Sequence, residues 1–381
     1  MYGKRSRYDA IVAGVGGMGS ATIYHLARRR WKVLGLDRYS IPHEMGSSHG
    51  FTRMIRLAYH EHPSYVPLLR RAYELWRVLE REAGRRLLHI TGSLDAGPPT
   101  SQVFGGSLES CRLHDLPHQV LTSPELTARF PALRLPPETM AVLQPDGGFL
   151  EPEACIVSHA ALATTHGASV CQNESIVAWE PAGNGVRVVT DRQKYEAARL
   201  VICVGAWAAK LVPELAGLVV PERQVLGWFD PTYPELFASD RLPVFVARVN
   251  EGGYYGFPMF GDGGFKIGRY HHLGETVDPD CIDRQSHPAD EAVLRTFVER
   301  YTAAGPAVTR GLKVCMFANT RDEHFILDHH PGCPGVSIAA GFSGHGFKFC
   351  SVVGEVMADL VEHGATTHDI TRFRLSRLRE L

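Results

Sequence analysis

Gly14, Gly16 and Gly19 stand in G-x-G-x-x-G register within AGVGGMGS, and Asp37 follows at about the 20-residue distance that a dinucleotide fingerprint requires. These residue types at this spacing suit the cradling of a dinucleotide. The first glycine permits a tight turn, the second lets the backbone approach a pyrophosphate, and the third lets a helix pack on the preceding strand. The positive end of that helix then faces the phosphates. A carboxylate at Asp37 accepts hydrogen bonds from ribose hydroxyls. The pattern does not separate NAD from FAD, because both carry an ADP half. A purely structural glycine turn is the competing explanation.

The elements around the motif favour the dinucleotide. Residues 8–13 read as a short buried strand, 18–29 as a helix and 32–36 as a second strand. This order is one crossover unit of a parallel sheet. Further on, Tyr65, Leu68, Leu69, Ala72, Leu75, Trp76 and Leu79 fall on one helical face, with Gly84 as a stop signal. Residues 85–149 are mixed in pattern, with a capped helix start at Ser123-Pro124. Residues 154–166 read as a helix. Strands at 175–179 and 186–190 flank a glycine hairpin turn, and 200–204 is a continuous apolar strand. Half-exposed strands follow at 224–229, 244–249, 253–257 and 265–268, and then a helix at 290–301. A strand at 336–340 leads into a glycine loop at 341–346 and a helix ending at Gly364.

This alternation predicts an α/β protein (α+β in its two-domain arrangement). A Rossmann-like nucleotide-binding domain comprises 1–84, 150–222 and 320–381. A substrate domain with a mostly antiparallel sheet comprises 85–149 and 223–319. The length of 381 residues and the 44% hydrophobic and 21% charged content agree with a globular chain of about two or three ordinary domains.

Composition also excludes function classes. A net charge of −1 gives no basic excess for nucleic acid. No apolar run approaches the roughly 18 residues that span a bilayer. Lys4, Arg5 and Arg7 precede an apolar stretch, but Asp9 and the glycines make a poor signal peptide. The terminal Arg-Glu-Leu does not match the peroxisomal S-K-L signal. The 8 cysteines are scattered, which fits reduced thiols in a cytoplasmic protein rather than a disulfide framework or zinc site. The histidine pairs His60/His62, His271/His272 and His329/His330 lack an evident third ligand, so no metal is expected.

Six segments narrow the choice of cofactor: GSSHGFTRMIR (46–56), YYGFP (254–258), FKIG (265–268), KVCMF (313–317), DEHFILD (322–328) and AAGFSGHGFKF (339–349). With the fingerprint, in this order from about residue 8 to 375, they resemble monomeric sarcosine oxidase and its relatives, such as N-methyltryptophan oxidase and pipecolate oxidase. These are covalent-flavin amine oxidases of the D-amino-acid-oxidase-like fold. The resemblance implies FAD, held covalently through Cys315, and a monomer acting on a small amino acid with O2. The expected reaction oxidises an N-methyl α-amino acid to the demethylated amino acid, formaldehyde and H2O2.

The same resemblance implies the site. Arg56 and Lys348 would hold the substrate carboxylate, which suits a guanidinium fork and an ammonium. A lysine near a helix start is mildly disfavoured by the dipole, so Lys348 calls for a functional reason. Lys266 would promote reaction with oxygen, since a cation stabilises a developing superoxide-like anion. Arg53, Thr52 and His49 would lie beside the flavin, and Gly344 and Gly346 would approach it. Tyr255 and His271 would place the amine. Lys313 would share a strand face with Cys315 and could favour its thiolate.

This chain departs from the family at several positions. One residue is extra after Lys266-Ile267-Gly268, so the active-site histidine is assigned to His271, with Tyr270 as the alternative occupant. Phe317 replaces a usual tyrosine, Ser48 a usual histidine, and Phe51 a usual polar residue. More ring surface suggests a bulkier or more apolar substrate than sarcosine. Competing readings are an NAD-dependent dehydrogenase, an FAD dehydrogenase passing electrons to a carrier, a pipecolate-type cyclic imino-acid oxidase, and a non-catalytic flavoprotein.

Overall fold

A computed structural model describes residues 7–379. Lys4 and Arg5 ahead of the first strand, and Glu380 and Leu381 of the terminal tripeptide, lie outside the described residues.

The first sheet has a parallel centre. Its strands run Ser169–Cys171, Val33–Leu36, Arg7–Ala13, Lys194–Ile202 and Cys333–Ala340, with Ile11 opposite both Leu34 and Leu200. Residues 10–13 and 33–36 are wholly buried, as expected of strands covered on both faces. Strand Lys194–Ile202 forks along one edge. Its first half pairs with the hairpin Ile176–Ala182/Gly185–Thr190, and its second half pairs with Cys333–Ala340. Ile326–His330 closes that side as an antiparallel strand.

Helices Gly17–Arg28, Pro152–Thr165 and Cys350–His363 pack on this sheet, and Val66–Ala83 packs on the last two of these helices. In Val66–Ala83 the apolar stripe is buried as its spacing demands, and Gly84 ends the helix in the left-handed region at φ 61°. Trp76 on that stripe donates from Nε1 to the Lys348 carbonyl at 2.9 Å. The helix thereby fixes the loop that carries Lys348.

The second sheet runs Val308–Asn319, Val220–Asp230, Phe265–Arg269, Gly252–Phe257, Val244–Val249, Ser93–Gly97, Met140–Gln144 and Gln119–Thr122. Every neighbouring pair is antiparallel except Val244–Val249 with Ser93–Gly97. Helix Pro288–Tyr301 packs its Phe297 against Phe245, ring centres 5.8 Å apart. A small sheet of Arg53–Ile55, Gly148–Leu150 and Leu88–Ile90 completes the strands.

Three stretches differ from the sequence reading. The mixed segment 85–149 holds three strands of the second sheet, Leu88–Ile90 and the start of Gly148–Leu150 of the small third sheet, and the helices Gln102–Leu113 and Ser123–Arg129, because Asp95, Gly97 and Gln144 interrupt the alternation. The helix after residue 122 is capped by Thr122 rather than Ser123: Thr122 N and Oγ1 both donate to Glu125, at 2.8 and 2.7 Å. A 3-10 turn, Phe347–Phe349, intervenes before the last long helix.

Candidate active site

A cleft runs from the glycine turn, past Asp37, to Cys315–Phe317 and the loop that ends at Lys348. The first strand and first helix build one end. Gly14 has φ +84°, and a Cβ there would lie 2.5 Å from the Cys203 carbonyl oxygen. A Cβ on Gly19 would lie within bonding distance of the Gly14 carbonyl, whereas one on Gly16 would meet open space. The backbone at Gly16 is therefore free for a close-lying group at a helix N-terminus. Asp37 is buried. Its carboxylate accepts from Val15 N at 2.7 Å and Tyr39 N at 2.8 Å, and each oxygen keeps a lone pair for a ribose hydroxyl. Ribose and pyrophosphate recognition fits these residues.

At the other end Cys315 sits on the long strand Val308–Asn319, 2% exposed and lining the cleft. Arg53 Nη2 lies 3.7 Å from its sulfur, and the Arg53 guanidinium also donates to Ser47 and Thr52 carbonyls at 2.9 and 3.0 Å. Lys313, on the same strand, instead pairs with Glu44 and lies over the Phe51 ring. The cation beside the sulfur is Arg53. Gly344, at φ +77°, lets the loop approach Phe317: a Cβ would meet that ring at 2.4 Å, closer than real contacts allow. Gly346 is as crowded by Phe342.

Two cations line the cleft near this end. Arg56 is 1% and Lys348 5% exposed. Arg56 donates to both oxygens of Glu61 at 3.0 and 2.8 Å, and its Nε lies 3.6 Å from buried Asp95. Burial opposes its charge, but Asp95 and Glu61 outweigh burial and hold its pKa up. Among the described residues Arg56 Nε has no hydrogen-bond partner. Lys348 Nζ donates to the His345 carbonyl at 2.7 Å. Burial, and then Arg56, push its pKa down to about 7.

Tyr255, Tyr270, Phe257 and Phe317 form an aromatic wall. Burial pushes the pKa of both phenols up, so both stay protonated. The structure brings Tyr270, not His271, into the cleft. Strand Phe265–Arg269 ends just before them, and His271 and His272 take φ 59° and 34°, which turns the chain outward. His271 lies between Glu222 and Glu323 at 3.1 and 3.0 Å with its side chain 47% exposed.

Lys266 stands behind the wall and is not among the lining residues. Its Nζ donates to Gly50 O, Thr52 O and Thr52 Oγ1 at 2.8, 2.6 and 3.1 Å and lies 4.4 Å from the Phe257 ring centre. Burial pushes its pKa well down, and Arg53 acts in the same direction. His49 is fully buried beside these cations. Neither of its ring nitrogens has a partner among the described residues, and burial and Arg53 push its pKa down to about 2. Phe51 is 51% exposed and packs on Trp228, outside the cleft.

The sequence reading missed Tyr59, Glu61 and Asp95. Asp95 and Glu61 neutralise Arg56, and the signal was faint: Asp95 lies in the mixed segment. Among the described residues no cluster of three His, Cys, Asp or Glu side chains is suited to a metal, and no helix is long and apolar enough to cross a membrane.

Comparison with known proteins extends this geometry. Residues 9–360 match a family described as DAO, FAD dependent oxidoreductase. The chain is 41% identical over 377 residues to monomeric sarcosine oxidase of Bacillus sp. (strain NS-129), covering 98% of this chain and 97% of that protein. It is 33% identical over 377 residues to N-methyl-L-tryptophan oxidase of Yersinia pestis (strain Pestoides F), covering 98% and 100%. Among solved structures, the open form of NikD, an unusual amino acid oxidase, aligns with a TM-score of 0.83 at 23% identity over 97% of both chains, a likeness of fold.

Proposed function

The chain belongs to the DAO family of FAD-dependent oxidoreductases, and from that premise we propose that it oxidises N-methylated α-amino acids at the CH–NH group. Water and O2 are consumed. The demethylated amino acid, formaldehyde and H2O2 are released. One observation carries the reading: two buried cations, Arg56 and Lys348, line the same cleft as the dinucleotide turn and Asp37.

Gly14, Gly16, Gly19 and Asp37 would hold the ADP half of FAD. Gly344, Gly346 and Arg53, which line the cleft, would surround its ring system, with His49 and Thr52 buried outside the lining, and Cys315 would carry it through a thioether. When bound, FAD supplies the two-electron acceptor for the amine.

The chain's own groups do the rest. The substrate carboxylate takes donors from Lys348, whose one hydrogen bond among the described residues is to His345 O, and faces the charge of the Arg56 guanidinium, which Glu61 and Asp95 hold in place. Each charge-assisted bond contributes about 1.5–3 kcal/mol. The amine then lies against Tyr255 and Tyr270. Their rings exclude water, and this desolvation together with the like charges of Arg56 and Lys348 favours the reactive neutral amine. Orientation matters because reacting atoms must lie about 3–3.5 Å apart. Hydrolysis of the imine product needs only water. Lys266 serves the oxygen step, with its proton held by three oxygens and the Phe257 ring.

Phe317 and Tyr270 make this end of the cleft apolar and support a larger N-methylated substrate than sarcosine. Phe51 adds nothing to that argument, because it lies outside. A monomer as the working unit is read from the likeness to monomeric sarcosine oxidase.

The test is turnover in air with a panel of N-methylated amino acids from sarcosine upward. Peroxide and formaldehyde in equal amounts are expected, with larger apolar substrates preferred. Consumption of an artificial electron carrier without peroxide would replace the oxidase with a dehydrogenase.

A further inference from the structure

Arg56 and Lys348 are like charges held close together, and burial makes their repulsion costly. Glu61 and Asp95 offset the charge of Arg56. Neither carboxylate makes a hydrogen bond or ion pair to Lys348 among the contacts observed. Both cations share a different neighbour. The Arg56 guanidinium carbon lies 4.6 Å, and Lys348 Nζ 5.2 Å, from the centre of the Tyr59 ring. Tyr59 is fully buried. An aromatic face attracts cations, and the attraction grows where water is absent.

The ring is itself fixed. Tyr59 Oη lies 2.5 Å from His345 Nδ1, and His345 Nε2 lies 2.8 Å from the Glu323 carbonyl. A carbonyl only accepts, so Nε2 carries the proton. Burial pushes the His345 pKa down to about 4, which leaves Nδ1 bare, and pushes the Tyr59 pKa well up. Tyr59 therefore donates to His345. The backbone is tied as well, since Ser110 Oγ donates to the Tyr59 carbonyl at 2.7 Å. The His345 carbonyl, in turn, accepts from Lys348 Nζ. His345 thus links the ring and the ammonium.

We propose that Tyr59 is a positioning residue for substrate recognition. Its ring holds both Arg56 and Lys348, and the chain Tyr59–His345–Glu323 sets the angle of that ring. This rests on the reading that the two cations take the substrate carboxylate. Tyr59 touches neither the substrate nor the cofactor in this scheme. It acts through the two cations.

The experiment uses the flavin-loaded full chain. Acetate, an unreactive carboxylate, is titrated into the oxidised enzyme and followed by the change in flavin absorbance. Tyr59→Leu removes the ring and is expected to weaken acetate binding about tenfold or more. Tyr59→Phe keeps the ring and frees it from His345, with an expected loss of about two- to fivefold. For an N-methylated amino acid, KM should rise in the same order with kcat nearly unchanged. For a secondary amine without a carboxylate, KM should not move. Arg56→Gln is the reference. If it loses acetate while both Tyr59 variants bind acetate as the native chain does, Tyr59 has no such role. If Tyr59→Leu does not fold, unchanged acetate binding by Tyr59→Phe overturns the proposal on its own. Equal losses for the amino acid and the carboxylate-free amine would make Tyr59 merely structural. If Arg56→Gln itself binds acetate normally, the carboxylate reading falls, and this proposal falls with it.

Discussion

Tyr255 and Tyr270 meet edge to face, their ring centres 5.2 Å apart, and Tyr270 in turn touches Phe317 at 6.1 Å. The pair closes the cleft beside the two cations. Edge-to-face pairs contribute about 0.5–1.5 kcal/mol beyond the area they bury. Tyr270→Ala opens the wall as well as breaking the pair. A fall of about tenfold or more in kcat/KM is expected. His271→Asn, one residue away but outside the cleft, should leave kcat/KM within about twofold. Steady-state kinetics of the two variants decides which residue serves the site, and the reverse order would restore the histidine.

His271 should show itself in stability instead. Hydrogen bonds to Glu222 and Glu323 hold its pKa up at about 10. The protonated ring is therefore favoured by folding. That stabilisation is complete below the unfolded value of about 6.5 and fades as pH rises through about 10. The side chain is half exposed, so solvent limits the effect to at most about 1 kcal/mol. Urea midpoints measured between pH 6 and 10 should fall more steeply for the native chain than for His271→Asn. Parallel curves would remove the ion pairs from the account.

Lys348 offers a pH signature of substrate binding. Burial and Arg56 bring its pKa to about 7 in the free protein. An anion needs the protonated ammonium. Acetate affinity should therefore be full below pH 7 and decline above it, approaching a tenfold loss per pH unit. Lys348→Met should bind about 10- to 100-fold more weakly at pH 6, and the decline should vanish. A decline that persists in the variant would assign the titration to another group.

The dinucleotide turn was legible because it depends on backbone alone. Gly14, Gly16 and Gly19 meet their neighbours within one strand–turn–helix unit, and local spacing encodes that. The helical stripe ending at Gly84 was legible for the same reason. Asp95 was not. It lies on Ser93–Gly97, a strand whose parallel partner Val244–Val249 is distant in sequence, and its ion pair to Arg56 exists only once three separate segments meet. Tyr59 gave no signal, since nothing local says that two cations will lie over its ring. The Tyr270 and His271 ambiguity came from one extra residue at a strand end. Alternation along Phe265–Arg269 cannot be continued past the left-handed residues that follow.

The oxygen step proposed for Lys266 rests on the family resemblance, and the contacts of its ammonium define the test. All its donors are engaged by Gly50 and Thr52, and these hold it against the rings of Phe257 and Trp228. Lys266→Met keeps the volume and removes the proton donors. Stopped-flow measurement should show reoxidation by O2 slowed by about a hundredfold or more, with anaerobic reduction by substrate nearly unchanged. Equal slowing of both halves would make Lys266 a structural residue that props Thr52.

Cys315 joins the cofactor reading to a direct chemical test. Its sulfur lines the cleft, and its nearest polar neighbours are Arg53 Nη2 and the Ser47 carbonyl, both at 3.7 Å. These contacts are long, so the sulfur has no strong hydrogen bond to lose when it forms a bond to carbon. A thioether at this position would survive acid, which unfolds the chain and releases FAD held by hydrogen bonds alone. The yellow colour of the purified chain should therefore stay in the acid precipitate, and the intact mass should exceed that of the polypeptide by one FAD. Cys315→Ser should still fold and bind FAD through the glycine turn and Asp37, but its colour should move entirely to the supernatant. Colour in the supernatant from the native chain would leave FAD as a dissociable cofactor and make Cys315 one more buried thiol.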